Sequence, residues 1–248
     1  MASRDQRLLI AVADAAALAQ TAVQRLVARI EANKGRIAIC LTGGSTPKRL
    51  YALLATEAWR KRIPWERVHW FIGDERFVPL QNPLHNMAMA CGIFLDQCAP
   101  AGNIHPIPTD TAGPDESARL YERELKAFYS ADRLEAARPL FDVVLLGVGP
   151  DGHIASLFPG DAALGERDRW AVGIGKAPVE PHVARVTLSL PVLGSCHEML
   201  FEVAGPEKRA ILTRVLGGEK LPANLAHATG ETVWLIERDA FPENFGGQ

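Results

Sequence analysis

The sequence predicts an α/β fold built on a largely parallel sheet that helices cover on both faces. Short apolar runs at 36–41, 68–72 and 141–146 alternate along the chain with stretches of helical periodicity. A strand that is buried on both faces has this continuously apolar character. The alternation of strands with helices is typical of right-handed βαβ units. Because functional loops of such folds lie at the carboxyl ends of the strands, the residues that follow each apolar run are candidates for a site.

The elements follow in order from the spacing of apolar residues. Leu18, Ala22, Leu26 and Ile30 recur at helical intervals and predict a helix that ends near Asn33. Residues 184–190 alternate and predict a strand. The other predicted elements are strands at 36–41, 68–72, 141–146, 199–203 and 232–236, and helices at 48–59, around 87–98, at 115–138 and at 206–216. We expect a single domain over residues 1–248, with a separate lobe at 79–140 as the alternative.

Composition limits the classes of function. The chain has 248 residues, 48% of them hydrophobic, which suffices for a sizeable core. Its 27 basic and 29 acidic residues give a net charge of -2, so no overall field attracts nucleic acid or an anionic membrane. The four cysteines form no CxxC pair, which predicts reduced thiols in a cytoplasmic protein. Asp14 interrupts the apolar N-terminal stretch and disfavours a signal peptide or a membrane span.

The stretch LTGGSTPK (41–48) has the composition of a phosphate-binding loop. Paired glycines let the backbone approach a ligand closely. Thr46 and Pro47 suit the N-cap and first position of a helix, whose free N–H groups favour an anion. The GxxxxGK[ST] spacing of a Walker loop is absent. An ordinary turn between a strand and a helix is the alternative to a phosphate site.

Two basic residues are candidate partners for such an anion. Lys208 falls in the first turn of a predicted helix, where a cation opposes the helix dipole and a bound anion would relieve the conflict. Arg185 falls on the strand face opposite the apolar residues. The alternative is that both are solvated surface charges, and convergence on the 43–46 loop would distinguish the two interpretations.

The stretch LLGVGPDGHIASLFPG (145–160) formally contains GxGxxG after a strand. A dinucleotide site also requires a continuous helix directly behind the glycines, and here Asp151 would place negative charge beside the pyrophosphate. Instead, Asp151 and His153 follow one buried strand and Asp74 to Arg76 follow another, so we expect all of them at one sheet edge. There, carboxylates can tune an imidazole as a general base. Capping of the turn at 154–158 by His153 is the alternative.

Four stretches, taken together, resemble the 6-phosphogluconolactonase family: LTGGSTP (41–47), GDERFVP (73–79), LLGVGPDGHIASLFP (145–159) and VTLSLP (186–191). They occur in the family's order, and the DGHxASLFP block is specific. The resemblance implies hydrolysis of 6-phospho-D-glucono-1,5-lactone to 6-phosphogluconate in the oxidative pentose phosphate pathway, without a metal or an organic cofactor. It also implies a Rossmann-like, mostly parallel sheet flanked by helices, of the glucosamine-6-phosphate deaminase and ribose-5-phosphate isomerase type.

The resemblance further implies two sets of site residues. The catalytic set is His153, as the base that activates water, Asp151 and Asp74. The set that would bind the sugar and its phosphate is Gly43, Gly44, Ser45, Thr46, Arg76, Asn86, Arg185 and Lys208. His85 stands where the family usually has the serine of a Ser-Asn-x-x-Met block. This replacement leaves the contacts of the 79–90 loop open.

Two other functions remain as alternatives to the lactonase. Glucosamine-6-phosphate deaminase shares the DGH core, but its block continues as A-F-N-E-P, whose acid supports ring opening. Residues 155–159 read ASLFP, which favours lactone hydrolysis. A non-catalytic sugar-phosphate-binding protein is disfavoured because His153 and Asp74 are retained. The expected ligand is therefore a small sugar-phosphate lactone, bound by a monomer or a small homo-oligomer.

Overall fold

The computed structural model describes residues 7–243, and within this range a seven-stranded parallel sheet forms the centre of the molecule. The strands are β1 (Arg7–Val12), β2 (Ile37–Leu41), β3 (Val68–Ile72), β4 (Asp74–Arg76), β5 (Ile104–His105), β6 (Phe141–Leu146), β7 (Ala171–Ile174), β8 (Arg185–Leu188), β9 (Cys196–Val203) and β10 (Glu231–Glu237). The helices are α1 (Ala15–Ala32), α2 (Pro47–Ala55), α3 (Glu57–Arg60), α4 (Asn86–Ala90), α5 (Asp96–Cys98), α6 (Pro114–Tyr129), α7 (Leu190–Gly194), α8 (Arg209–Leu216) and α9 (Pro222–Leu225). The predicted α/β class with a mostly parallel sheet is confirmed.

The strand order places the two glycine-rich loops side by side. The order is β1-β10-β9-β6-β2-β3-β5, and all neighbours are parallel. The chain runs outward from β2 to β3 and β5, and it then returns to β6 on the other side of β2. The direction of winding therefore reverses between β2 and β6. In open α/β sheets, ligands bind at the carboxyl ends of the strands at such a reversal.

A second sheet covers this edge. Within the described residues it contains three antiparallel strands, in the order β4-β8-β7. Strand β4 follows β3 after the single residue Gly73, whose carbonyl accepts a hydrogen bond from the Leu188 N–H at 2.9 Å. Asp74 opposes Thr187 in this sheet, and Arg76 opposes Arg185. The GDER stretch is thereby carried over the carboxyl ends of the central strands.

Helix α1 shows how the predicted apolar face becomes core. Asp14 caps its N-terminus by accepting hydrogen bonds from the N–H groups of Ala16 and Ala17, which stabilises the first turn. Leu18, Ala22, Leu26 and Ile30 are all buried. The helix packs against β9, β10 and the neighbouring α2.

No helix in the described part of the chain is both long and apolar enough to cross a membrane.

Several sequence-based predictions need correction. The helix predicted at 115–138 ends at Tyr129, because Ser130 takes a left-handed φ of 60° and the chain folds back until the Arg138 guanidinium lies 4.0 Å from the Tyr129 ring centre. The helix predicted at 48–59 is divided at Thr56, whose ψ of 149° is extended. The strand predicted at 184–190 covers only Arg185–Leu188, and all four of its residues are buried. Strands β1, β4, β5 and β7 were not predicted.

Candidate active site

A cavity of about 310 Å³ lies at the reversal between β2 and β6. Nine of the predicted site residues line it: Gly43, Gly44, Ser45, Thr46, Asp74, Arg76, Asn86, His153 and Lys208. The other two, Asp151 and Arg185, are not among the residues that line it. Grooves along α6 and beside Trp170 contain none of these residues. Most of the predicted catalytic and binding residues therefore lie together at the predicted edge of the sheet.

The loop after β2 presents backbone and hydroxyl groups to the cavity. Gly44 has a φ of +98°, a conformation that favours glycine. A Cβ on Gly43 would lie 2.1 Å from the Asn86 side-chain oxygen, so the Asn86 amide packs directly on the loop. The prediction that Thr46 caps α2 is correct in position, but its side chain makes no capping hydrogen bond. Its hydroxyl therefore stays available to a ligand at the start of α2.

A buried tyrosine fixes the base of this loop. The Tyr51 hydroxyl, on α2, accepts a hydrogen bond from the Thr42 N–H at 3.0 Å and donates one to the Thr42 carbonyl at 2.7 Å. Burial raises the pKa of this hydroxyl well above its ordinary value, so the group stays neutral. One side chain thus satisfies both backbone groups at the point where β2 ends and the loop begins.

The two predicted cations occupy different places. Lys208 ends the Pro206–Lys208 turn before α8 and donates a hydrogen bond from Nζ to the Val148 carbonyl at 2.8 Å, in the cavity wall. Arg185 is only 3% exposed, so it is not a solvated surface charge. Its Nη2 donates to the Pro181 carbonyl at 2.8 Å. Burial and then the adjacent Arg76 charge lower the pKa of the Arg185 guanidinium from its ordinary value.

The GDER stretch is tied to the loop after β6 by a buried hydrogen bond. Ser156 donates from Oγ to Asp74 Oδ2 at 2.6 Å, and the Ser156 N–H donates to Thr187 Oγ1 at 3.2 Å. Asn86 donates from Nδ2 to the Asp74 carbonyl at 3.0 Å. Arg76 donates from Nη1 to the Leu84 carbonyl at 2.8 Å, which holds its guanidinium at the cavity. These contacts orient Asp74 and Arg76 toward one space.

His85, which replaces the usual serine, has a structural position. Its Nδ1 accepts a hydrogen bond from the Ala88 N–H at 3.2 Å and so caps α4. Nδ1 also lies 2.9 Å from Oε2 of the buried Glu75. Glu75 accepts hydrogen bonds from the N–H groups of Arg76, Asn86 and Met87. The pair therefore shapes the start of α4 and positions Asn86, whereas the sequence grouped Glu75 with the carboxylates expected to tune His153.

The loop after β6 builds the His153 and Asp151 pair. The Nδ1 atom of His153 lies 2.5 Å from Asp151 Oδ1, and the His153 N–H donates to the same oxygen at 3.1 Å. Its ring hydrogen bond thus goes to Asp151 rather than to the turn at 154–158. Burial alone would raise the pKa of Asp151, but the hydrogen bonds and charge of His153 outweigh it and hold that pKa below its ordinary value. With Nδ1 on the carboxylate, Nε2 is the ring nitrogen left for chemistry.

Comparisons with known proteins show the family to which the chain belongs. A family model described as glucosamine-6-phosphate isomerases/6-phosphogluconolactonase matches residues 13–234. The chain belongs to this family. A 6-phosphogluconolactonase of Synechocystis is 40% identical over 215 residues, which are 84% of this chain and 85% of that protein.

Solved structures of the family have the same fold. The crystal structure of 6-phosphogluconolactonase from Thermotoga maritima has a TM-score of 0.81 and 30% identity, and the match covers 94% of this chain and 100% of that one. A monomeric glucosamine-6-phosphate deaminase has a TM-score of 0.79 at 16% identity, covering 94% and 98% of the two chains, which shows a shared fold alone. The Rossmann-like architecture implied by the four motifs is therefore confirmed.

The cavity of this family member also contains an acid that sequence reasoning missed. Glu202, near the end of β9, lines the cavity and is only 2% exposed. Burial raises the pKa of its carboxyl group to about 8. The available signal was a single acid at the carboxyl end of an otherwise apolar run, MLFEV (199–203), directly before the turn that bears Lys208. Within residues 7–243, no group of three or more His, Cys, Asp or Glu side chains is placed to hold a metal ion.

Proposed function

We propose that this chain hydrolyses 6-phospho-D-glucono-1,5-lactone to 6-phosphogluconate, with His153 as the general base. The observation that carries the proposal is the His153 and Asp151 pair, which opens on the same cavity as the GGST loop (43–46) and Lys208. A base and an anion-binding loop in one cavity suit a substrate that carries both a reactive carbonyl and a phosphate. Relatives with 34–40% identity over most of the chain, named 6-phosphogluconolactonase, support the same reaction.

The proposed substrate pose follows from the charges of the cavity. The 6-phosphate would contact the backbone and hydroxyl groups of residues 43–46 at the start of α2, where N–H groups and the helix dipole favour an anion. Lys208 would add a positive charge at the same end. Asp74, Arg76 and Asn86 would face the sugar ring. Arg185 lies opposite Arg76 on the neighbouring strand, outside the cavity lining, and would contribute positive potential without direct contact.

The proposed mechanism uses one imidazole twice. The Asp151 carboxylate accepts a hydrogen bond from the Nδ1–H of His153 and keeps that proton on the ring, so Nε2 takes a proton from water as that water attacks the lactone carbonyl. The tetrahedral oxyanion needs preorganised donors, and the Arg76 guanidinium is the cavity donor on the sugar side. The ring oxygen then leaves and receives the proton from His153 Nε2. The products are an open-chain acid and a regenerated neutral imidazole.

Two further features belong to this proposal. The base, the GGST loop and Lys208 all belong to one chain, and we propose that it acts as a monomer or as a small homo-oligomer. The four cysteines are free thiols, and this supports a cytoplasmic location because that compartment keeps thiols reduced.

The direct test generates the lactone in place from glucose 6-phosphate and its dehydrogenase, and it follows the appearance of 6-phosphogluconate. A sample without the protein is essential because the lactone also opens spontaneously. The proposal predicts acceleration above this blank and no ammonia release from glucosamine 6-phosphate. A trace that matches the blank, or release of ammonia, would overturn it.

A further inference from the structure

Glu202 lies at the phosphate end of the cavity. Side chains on a strand alternate between faces, so Glu202 shares a face with Glu198 on β9. Glu198 is ion-paired with Arg25 and Arg29, which identifies this face as the one covered by α1. Helix α1 packs against α2, and α2 begins at the GGST loop. Glu202 therefore lies beside the N-terminal end of α2, where the phosphate is proposed to bind.

The carboxyl group of Glu202 differs from other buried acids of this molecule. Asp74 accepts from Ser156, Glu75 accepts three backbone N–H groups, and Glu198 pairs with two arginines. Both oxygens of Glu202, by contrast, are without a hydrogen-bond partner among the described residues. A buried carboxylate without a partner is costly, so the group avoids its charged form. Burial therefore favours its protonated, neutral form, whose O–H has no acceptor among the described residues.

The titratable and charged groups around the Glu202 carboxyl come from several separate elements. Tyr51 approaches from α2, and Lys208 and the exposed Glu207 come from the turn after β9. His153 lies on the loop after β6, and Asp74 and Arg76 lie on β4. The neighbouring position on β10 is the apolar Leu235. Burial is the cause of the raised Glu202 pKa.

We propose that Glu202 in its protonated form donates a hydrogen bond to a phosphoryl oxygen of the bound ligand and thereby links phosphate binding to a proton. This inference rests on the proposed function only in placing a phosphate at the GGST loop. A hydrogen bond to an anionic oxygen is about twice as strong as one between neutral groups. Once ionised, the same carboxyl would instead repel the phosphate. Phosphate affinity should therefore be highest below a pH of about 8 and fall above it.

The test measures binding of 6-phosphogluconate by calorimetry between pH 7 and 9.5. The ligand's phosphate stays a dianion throughout this range, because its second pKa is about 6. We expect the Kd of the wild type to rise above pH 8 toward about tenfold per pH unit, as for the loss of one proton. Glu202→Gln keeps a neutral donor and should bind with a Kd that varies less than about twofold over the same range. Glu207→Gln, an exposed acid on the same cavity, is the matched control and should retain the rise.

Two additional measurements make the outcome decisive. Wild-type binding at pH 8.5, compared in buffers of different ionisation enthalpy, should take up about 0.5–1 proton per ligand. This measurement of proton uptake uses only the wild type and therefore does not depend on the folding of Glu202→Gln. Above pH 8, where inorganic phosphate is also a dianion, it should show the same rise in Kd as 6-phosphogluconate, since the contact is to the phosphoryl group.

Several results would overturn the inference: a flat wild-type Kd, no proton uptake, an unchanged rise in Glu202→Gln, or a rise with 6-phosphogluconate that inorganic phosphate lacks. The result is separable from the fate of the proposed function. Turnover of the lactone at pH 7 tests the reaction, whereas these binding measurements test Glu202 even in a protein that hydrolyses no lactone.

Discussion

At the scale of single residues, Gly149 packs directly against the His153 ring. A Cβ on Gly149 would lie 2.1 Å from His153 Nδ1 and Cε1, far inside contact distance. The backbone of the same loop closes through a 2.9 Å hydrogen bond from the Gly149 N–H to the His153 carbonyl. The Phe158 ring centre lies 4.9 Å from that of the imidazole. The imidazole thus packs against both a glycine and a phenyl group.

Gly149→Ala should therefore displace the imidazole and reduce turnover toward that of a protein without the base. Overpacking at such a contact also costs about 1–3 kcal/mol of stability. Steady-state kinetics and urea unfolding measure the two effects. Gly165→Ala is the matched control, since a Cβ there meets nothing within 4 Å, and it should keep wild-type turnover. Unchanged turnover in Gly149→Ala would show that the ring position does not matter to the reaction.

Glu202 makes a second prediction, on stability. Its pKa is raised from 4.5 to about 8 in the folded protein, so the folded state holds this proton more tightly than the unfolded state. Stability should therefore fall as pH rises from about 4.5 to 8. At 1.36 kcal/mol per pKa unit, the loss is on the order of 4 kcal/mol. Glu202→Gln should remove this part of the pH dependence and be the more stable protein at pH 8. Urea unfolding at pH 5 and at pH 8 measures the free energy of unfolding of both proteins. An equal change in this free energy between the two pH values in wild type and Glu202→Gln would contradict the prediction.

The sequence predicted the positions of single residues well where a motif carried them and poorly where burial decided. The GGST loop, His153 and Lys208 lie together as expected, because loops after parallel strands meet at one edge. Arg185 was expected on an opposite face of an alternating strand, but β8 is covered on both sides and the residue is buried. Glu202 was missed because one acid in an apolar strand has no spacing to recognise.

At the scale of elements, the site depends on how the ends of β2 and β3 are fixed. Two tyrosines do this in the same way. Tyr51 bonds both backbone groups of Thr42 after β2, and Tyr121, on α6, bonds both backbone groups of Ile72 at 3.1 and 2.9 Å. Each hydroxyl is buried and replaces ladder partners that the strand end has lost. The first tyrosine supports the GGST loop, and the second supports the approach to Asp74.

Tyr51→Phe should weaken binding of inorganic phosphate and destabilise the protein by about 1–3 kcal/mol, because the Thr42 N–H and carbonyl lose their partner. Tyr121→Phe leaves the equivalent groups of Ile72 unpaired and should cost a similar amount of stability with wild-type phosphate affinity. Calorimetry and urea unfolding compare the two variants. Equal losses of phosphate affinity would argue against a specific role for Tyr51 in the loop.

Elements were predictable from the sequence in proportion to their length and apolar character. The strand at 141–146 and the buried face of α1 agree with expectation, because a continuous apolar run indicates a buried strand and a long helical repeat of apolar residues indicates a helix. The short strands β4 and β5, of three and two residues, carry no period of their own. The end of α6 was misplaced because the charged residues after Tyr129 resemble a helix, whereas a left-handed serine and tertiary contacts of Arg138 stop it.

At the scale of the whole molecule, we propose that residues 1–248 unfold as one cooperative unit. The 79–140 region, the alternative lobe, contributes Tyr121 to the end of β3 and packs α6 on β7 and β8. Trp70 on β3 and Trp234 on β10 are buried in opposite halves of the sheet. Thermal unfolding followed by circular dichroism and by tryptophan fluorescence should give coincident transitions. Two separated transitions would contradict a single unit and favour the lobe.

The central claim is that His153 is the base of a phosphosugar lactonase, and turnover of His153→Ala tests it most directly. The assay compares wild type, variant and blank with lactone generated in place, alongside calorimetry of 6-phosphogluconate binding. We predict that turnover falls by about 10²–10⁴-fold, the usual contribution of a general base, while Kd changes little because the phosphate loop is intact. A variant with wild-type turnover would contradict the account, and so would one that lost ligand binding and turnover together.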